Sequence, residues 1–229
     1  KVQYLNSLKN KKIDYIFIGS SRVENSIVSN QIEKLTNKQT VNLGIKGLKL
    51  RDMICVVKIL KHNNITFDKL FIQLDYSFNY ENEYSKFFSF ELLPYYNSTN
   101  SIIDDYLEST NNNHLSYKFI PFYKYTQSEE LIGFRKIVSS LNKKHSIFEI
   151  NKGYQPLKGI STKQSENIPK EIVLKNKYFD ELNHFLKSNK IEVVYFSAPF
   201  SINCKNSEYF NLLNLVLPSL NDFHNIVSD

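Results

Sequence analysis

Residues 13–22 read Ile-Asp-Tyr-Ile-Phe-Ile-Gly-Ser-Ser-Arg. The apolar run from Ile13 to Ile18 stops at Gly19, as a parallel strand buried on both faces does. A second short strand is expected at Thr40–Leu43, closed by Gly44-Ile45-Lys46-Gly47. A third is expected at Lys69–Leu74. Between the first two a helix is expected over about Asn30–Leu35. Between the second and third, one is expected over about Lys49–His62, where Leu50, Met53, Ile54, Val57 and Leu60 share a face that only Lys61 interrupts. The order β-α-β-α-β makes a parallel sheet with covering helices the economical arrangement.

Beyond Tyr80 the rhythm is lost. Residues from about Glu81 to Pro169 are rich in aromatics, Asn and Ser, and read as an insertion packed over the edge of the sheet or its active-site end. The alternation resumes at about Lys170. A helix face is marked by Leu174, Tyr178, Leu182, Phe185 and Leu186, and a strand by Ile191–Ser197. A helix over about Ser207–Leu217 and a short strand at Phe223–Val227 complete the pattern. The expected fold is one flavodoxin-like, three-layer α/β/α domain over residues 1–229, with five parallel strands in the order 2-1-3-4-5 and a large aromatic insertion at about 81–169.

Composition narrows the function. The chain has 229 residues, of which 41% are hydrophobic, enough for a core. No run approaches the ~18 apolar residues of a membrane-spanning helix. The net charge is +6, but the lysines are scattered and no helix or loop combines them with stacking aromatics, so no nucleic-acid partner is expected. Lys9, Lys11 and Lys12 suit an anionic membrane surface instead. The two cysteines, Cys55 and Cys204, have no metal-site spacing, and Cys55 falls on a helix's apolar stripe. No Gly-x-Gly-x-x-Gly follows the first strand and no P-loop occurs, so neither metal nor cofactor is expected.

Two turns hold the candidate chemistry. Gly19-Ser20-Ser21-Arg22 lies at the carboxyl end of the first strand, where open α/β sheets bind ligands. A serine there is exposed on a tight turn, and backbone N–H groups at the next helix start can stabilise an oxyanion. A turn with helix-capping serines accounts for the same residues equally well, and so does a loop that holds a phosphate. Asn42-Leu43-Gly44-Ile45-Lys46-Gly47 ends the second strand, and its two glycines fit close backbone approach or a tight turn.

Together the two turns resemble the SGNH/GDSL hydrolase superfamily: Gly19-Ser20-Ser21 stands for the Gly-Asp-Ser-like first block and Asn42 to Gly47 for the Asn-x-Gly-x-x-Gly-like second. The Gly-Ser-Ser form is most similar to the bacterial envelope branch, with its teichoic-acid D-alanylation and alginate-acetylation proteins. The resemblance covers about Ile13–Asn79 and Lys170–Asp229, with the insertion outside it.

It implies Ser21 as nucleophile, with the N–H groups of Ser21 and Gly47 as oxyanion-hole donors. The third block, normally Gly-x-Asn-Asp, is replaced by Gln73-Leu74-Asp75-Tyr76-Ser77-Phe78-Asn79, in which Asn79 is the nearest candidate for the oxyanion side chain. The final Asp-x-x-His is matched only in type, by Asp222 and His224, and the spacing is wrong. If the fifth strand is Phe223–Val227, the family's histidine would fall beyond Asp229 and the site would be catalytically incomplete. The expected activity is that of an esterase or O-acyltransferase on an acylated glycan or other envelope polymer, in a protein tethered to a bacterial membrane and facing outwards. The alternative is an SGNH-fold binding or assembly module without catalysis.

Overall fold

The computed structural model describes residues 1–96, 100–110, 116, 119–120, 151–157, 168–198, 208–216 and 223–225. It is an α/β fold on a parallel sheet. Strands β1 (Lys12–Gly19), β2 (Thr40–Gly44), β3 (Thr66–Gln73) and β4 (Val193–Ser197) lie in the order β2-β1-β3-β4. The register sets Gly19 beside Gly44, and Ile18 beside Ile72. The loops that follow β1, β2 and β3 therefore leave the sheet at one level.

The strands alternate as the pleat requires. Ile16 and Ile18 of β1, Leu70 and Ile72 of β3 and Tyr195 of β4 enter the larger core. On the opposite face Phe17 and Phe196 form a second cluster with Val23 and Ala198, against which Tyr15 and Phe71 pack. Phe17 stacks on Phe71 with ring centroids 4.4 Å apart and meets Phe196 edge-on at 5.9 Å. Apolar side chains on both faces explain why β1 reads as an almost unbroken apolar run. The arrangement is compatible with three layers.

Helices α1 (Val2–Ser7), α2 (Ser21–Ser26), α3 (Ser29–Thr36) and α4 (Leu50–His62) belong to this first half. Helices α5 (Lys86–Leu92), α6 (Ser101–Thr110), α7 (Lys177–Ser188) and α8 (Tyr209–Val216) follow. Helix α4 buries nearly its whole length, including Met53, Ile54, Val56, Val57, Ile59 and Leu60, while Lys61 stays exposed. Each such apolar side chain contributes about 1.5–3 kcal/mol, so α4 anchors the larger core. Cys55 is a buried thiol within it. Among the described residues no helix is long and apolar enough to cross a membrane.

Several element boundaries differ from the sequence reading. The helix expected near Asn30–Leu35 is Ser29–Thr36, and a separate helix, α2, precedes it. Ser20 starts α2: its side chain accepts a hydrogen bond from the Arg22 N–H, the capping role that serine performs well. Leu174 lies outside α7 and is 80% exposed. That helix begins after Asn176, whose Oδ1 accepts from the N–H groups of Tyr178 and Phe179. Strand β3 starts at Thr66, three positions before the expected Lys69, because its early residues still pair with Lys12 and Ile13 of β1.

Candidate active site

The turn after β1 is fixed by β3. A Cβ on Gly19 would collide with Val23 and come within 2.6 Å of the Gln73 Cβ, so only glycine lets α2 start this close to the sheet. Gln73 Oε1 accepts from the Ser20 backbone N–H at 2.7 Å and from Ser20 Oγ at 3.0 Å. With its oxygen so engaged, the Gln73 amide NH₂ donates to Asp75 Oδ2. The same carboxylate oxygen accepts from Arg22 Nη2, and Asp75 Oδ1 accepts from the Ser77 N–H at 2.8 Å. Asp75 is fully buried, and the Arg22 side chain is 21% exposed with its guanidinium 4.9 Å above the Tyr76 ring. A carboxylate buried this deeply needs such partners. Ser20 is thus the anchored serine of the pair, and Ser21, half-buried, is the adjacent one.

The turn after β2 is a different construction. Asn42 is buried, and its Nδ2 donates to the carbonyls of Val23 at 2.7 Å and Ile27 at 2.8 Å, while its Oδ1 accepts from the Gly44 N–H. This asparagine caps the carbonyl end of α2, satisfying groups that a helix end leaves open. The Ile45 N–H donates to the Gly19 carbonyl at 2.9 Å, stitching the two turns together. The Leu48 N–H donates to the Ile45 carbonyl, and Gly47 has φ 74° while Lys46 has an ordinary negative φ. That combination defines a type II turn with Gly47 at its third position.

Helices α4, α5 and α6 supply the support of this second turn. Ser85 Oγ donates to the Lys46 carbonyl at 2.7 Å. Asp52, fully buried, accepts from the N–H groups of Lys49 and Ser85, both at 2.8 Å, and from Tyr106 Oη at 2.5 Å. Burial pushes the Asp52 carboxyl up to about 6, against these donors, which pull it down. Burial and the facing Asp52 carboxylate likewise push the Tyr106 hydroxyl above its ordinary range. A further segment, residues 151–155, lies along the outer edge of β2: the Asn42 N–H donates to the Lys152 carbonyl, and the Gln155 N–H to the Glu24 carbonyl.

The remaining sequence candidates are distributed as follows. Asn79 is tied to later chain: its Nδ2 donates to the Glu171 carbonyl, and its Oδ1 accepts from the Val173 N–H and Tyr209 Oη. Asp222 lies outside the described residues, and so does Cys204. For His224 only the backbone is described, in a segment alongside β4. His62 ends α4 just before β3 begins, at the opposite end of the sheet from Ser21, and His184 is exposed on α7. Sequence reasoning overlooked Ser85, Asp52 and Tyr106. One local signal was available: Asp52 stands three residues after Lys49, the spacing of a carboxylate that reaches back to its helix start.

Two backbone donors are left at the junction of the turns. The Ser20 carbonyl accepts from the Glu24 N–H at 3.1 Å, inside α2. Across a planar trans peptide the next N–H points the opposite way, so that of Ser21 points out of the helix. Neither it nor the Gly47 N–H donates a hydrogen bond among the described residues. No family model, curated protein or solved structure matches the chain.

Proposed function

We propose that this chain is an SGNH-type serine esterase or O-acyltransferase that acts on an acylated cell-envelope glycan through a Ser21 acyl-enzyme. The observation that carries the reading is the pair of outward backbone donors, Ser21 N–H and Gly47 N–H, on turns joined by the Ile45–Gly19 hydrogen bond. In the reaction Ser21 Oγ attacks the ester carbonyl and its proton passes to a general base. The carbonyl oxygen becomes an oxyanion held by the two N–H groups. Collapse breaks the ester bond, and the leaving alcohol takes the proton. Water or a sugar hydroxyl then attacks the acyl-enzyme, with the base accepting its proton and returning one to Ser21.

No base is assigned in this reading: with Phe223–Asn225 taken as fifth strand, His224 lies inside it, in register with Phe196, and not on a loop where Asp222 could orient it towards Ser21. The finer fold belongs to the same reading: a flavodoxin-like sheet in the order 2-1-3-4-5, with Phe223–Asn225 as fifth strand and residues of about 81–169 as a cap. The register of Phe196 with His224 supports the fifth strand. The packing of Ser85 against the Gly47 turn supports a cap at the Ser21 end. Membrane tethering and an extracytoplasmic location rest on the resemblance and the basic Lys9, Lys11 and Lys12. No cofactor enters the scheme.

A second reading, a binding or assembly module of the same fold without catalysis, is favoured by one observation. Among the described residues the Ser21 hydroxyl makes no hydrogen bond, to a histidine or otherwise. A fluorophosphonate probe separates the two. Covalent labelling at Ser21, absent in Ser21→Ala, is the result expected of the enzyme; a wild type that stays unlabelled at neutral pH excludes it.

A further inference from the structure

We infer that Ser85, contributed by the insertion, is a positioning residue that aims the Gly47 N–H of the oxyanion hole. The inference rests on the Ser21 reading above and extends it to a residue outside the family resemblance.

The type II turn at Ile45–Leu48 is the starting point. Types I and II share their end-to-end hydrogen bond and differ by a flip of the central peptide, here Lys46–Gly47. The flip reverses the Lys46 carbonyl and the Gly47 N–H together, because the two point in opposite directions across a planar trans peptide. Glycine permits the type II state, since Gly47 sits at φ 74°, but glycine accepts the type I state as readily. The glycine therefore does not decide which way its own N–H points.

Ser85 decides it. Its hydroxyl donates to the Lys46 carbonyl at 2.7 Å, which draws that carbonyl towards α5 and turns the Gly47 N–H to the other side. Ser85 is 4% exposed and is itself held from two directions. Its N–H donates to Asp52 Oδ2, and its Oγ accepts from the Phe88 N–H at 3.1 Å as the cap of α5. The hydroxyl hydrogen is thereby left for Lys46. Asp52 ties the arrangement to the other end of the turn, through the Lys49 N–H, and to α6, through Tyr106.

Removing the Ser85 hydroxyl frees the central peptide to flip without disturbing Ser21, Ser20 or Gln73. The test compares the rate of fluorophosphonate labelling at Ser21 in the full chain and in Ser85→Ala, Ser85→Thr and Ser89→Ala. Ser89 is the control: it lies on the same helix, is buried, and its hydroxyl meets Tyr106 Oη at 3.2 Å without touching the turn. Deleting one oxyanion donor outright costs roughly 100- to 1000-fold, so a donor left free to turn away should cost on the order of tenfold. Slow labelling in Ser85→Ala, with wild-type rates in Ser85→Thr and Ser89→Ala, is the expected result.

An undiminished rate in Ser85→Ala overturns the inference. So does an equal loss in Ser89→Ala, which marks a general effect of loosening α5, or a failure of threonine to restore the rate. A second readout does not depend on catalysis. The nitrogen-15 shift of an amide responds to hydrogen bonding at the preceding carbonyl, so the Gly47 signal should move in Ser85→Ala and stay in Ser89→Ala. A wild type that is not labelled removes the Ser21 reading, and the Gly47 signal still decides whether Ser85 holds the peptide.

Discussion

The turns after β1 and β2 stand side by side and are held by unlike means. The first is gripped from within the sheet: Gln73 and Asp75, at the end of the neighbouring strand, fix Ser20 and Arg22. The second is gripped from outside it, by Asp52 on α4, Ser85 at the start of α5 and Tyr106 on α6. A turn tied to a central strand shares the rigidity of the sheet. A turn tied to helices outside the sheet takes its geometry from how those helices pack. On the proposed reading, the nucleophile's turn is held by the sheet, and one oxyanion donor is held by helices packed beside it.

The largest effect should come from breaking the first grip. Arg22→Met leaves the buried Asp75 carboxylate without its cation, at a cost of about 3 kcal/mol, somewhat reduced because Arg22 is partly exposed. Urea unfolding measures it. Adding Asp75→Asn to that variant should recover part of the loss, and a double variant with the two losses simply added would mean the pair is not coupled.

The second turn should respond with less stability lost and more function lost. Gly47→Ala strains a backbone at φ 74° by about 1–2 kcal/mol. It also favours the type I state, so Ser21 labelling should fall even at temperatures where the protein remains folded. If the variant loses stability alone and labels normally, the Gly47 peptide has no part in the site.

Asp52 offers a pH test of the same turn. Its carboxyl titrates at about 6 in the folded protein against an ordinary value of 3.8. Between those values the folded state binds the extra proton. Its contribution to stability is therefore greatest below about pH 4 and declines as the pH rises through 6. The wild type should lose stability relative to Asp52→Asn across that window, by an amount on the order of 3 kcal/mol. A pH-independent difference between the two proteins would place the Asp52 titration elsewhere.

The smallest effect is expected far from both turns. Lys58 and Glu181 pair at 2.8 Å across α4 and α7, with both side chains open to solvent. Lys58→Ala should change stability by less than about 0.5 kcal/mol, and raised salt should erase even that. A larger loss would show that charge removal on α4 is itself costly, and would weaken the assignment of the Asp52 effect to the turn.

Much of the frame was written in the local pattern. The apolar run at Ile13–Ile18, the periodic face from Leu50 to Leu60 and the glycine turns after β1 and β2 each follow from residues within one short window. Helix α2 was overlooked because its six residues, SRVENS, are too few to show a period, and a capped turn reads the same way. Leu174 was misassigned because an apolar residue at helical spacing does not reveal that Asn176 starts the helix after it.

What the sequence determined by itself is the β/α alternation and the position of Gly19-Ser20-Ser21 and Gly44–Gly47 at strand ends, since these depend on neighbours a few residues apart. What only the tertiary structure decided is which side chains hold those turns. Gln73 lies 53 residues from Ser20, and Ser85 lies 39 from Lys46. No periodicity spans such distances. A hydrogen bond needs its donor and acceptor within about 3 Å, and only the packed sheet and helices bring them there.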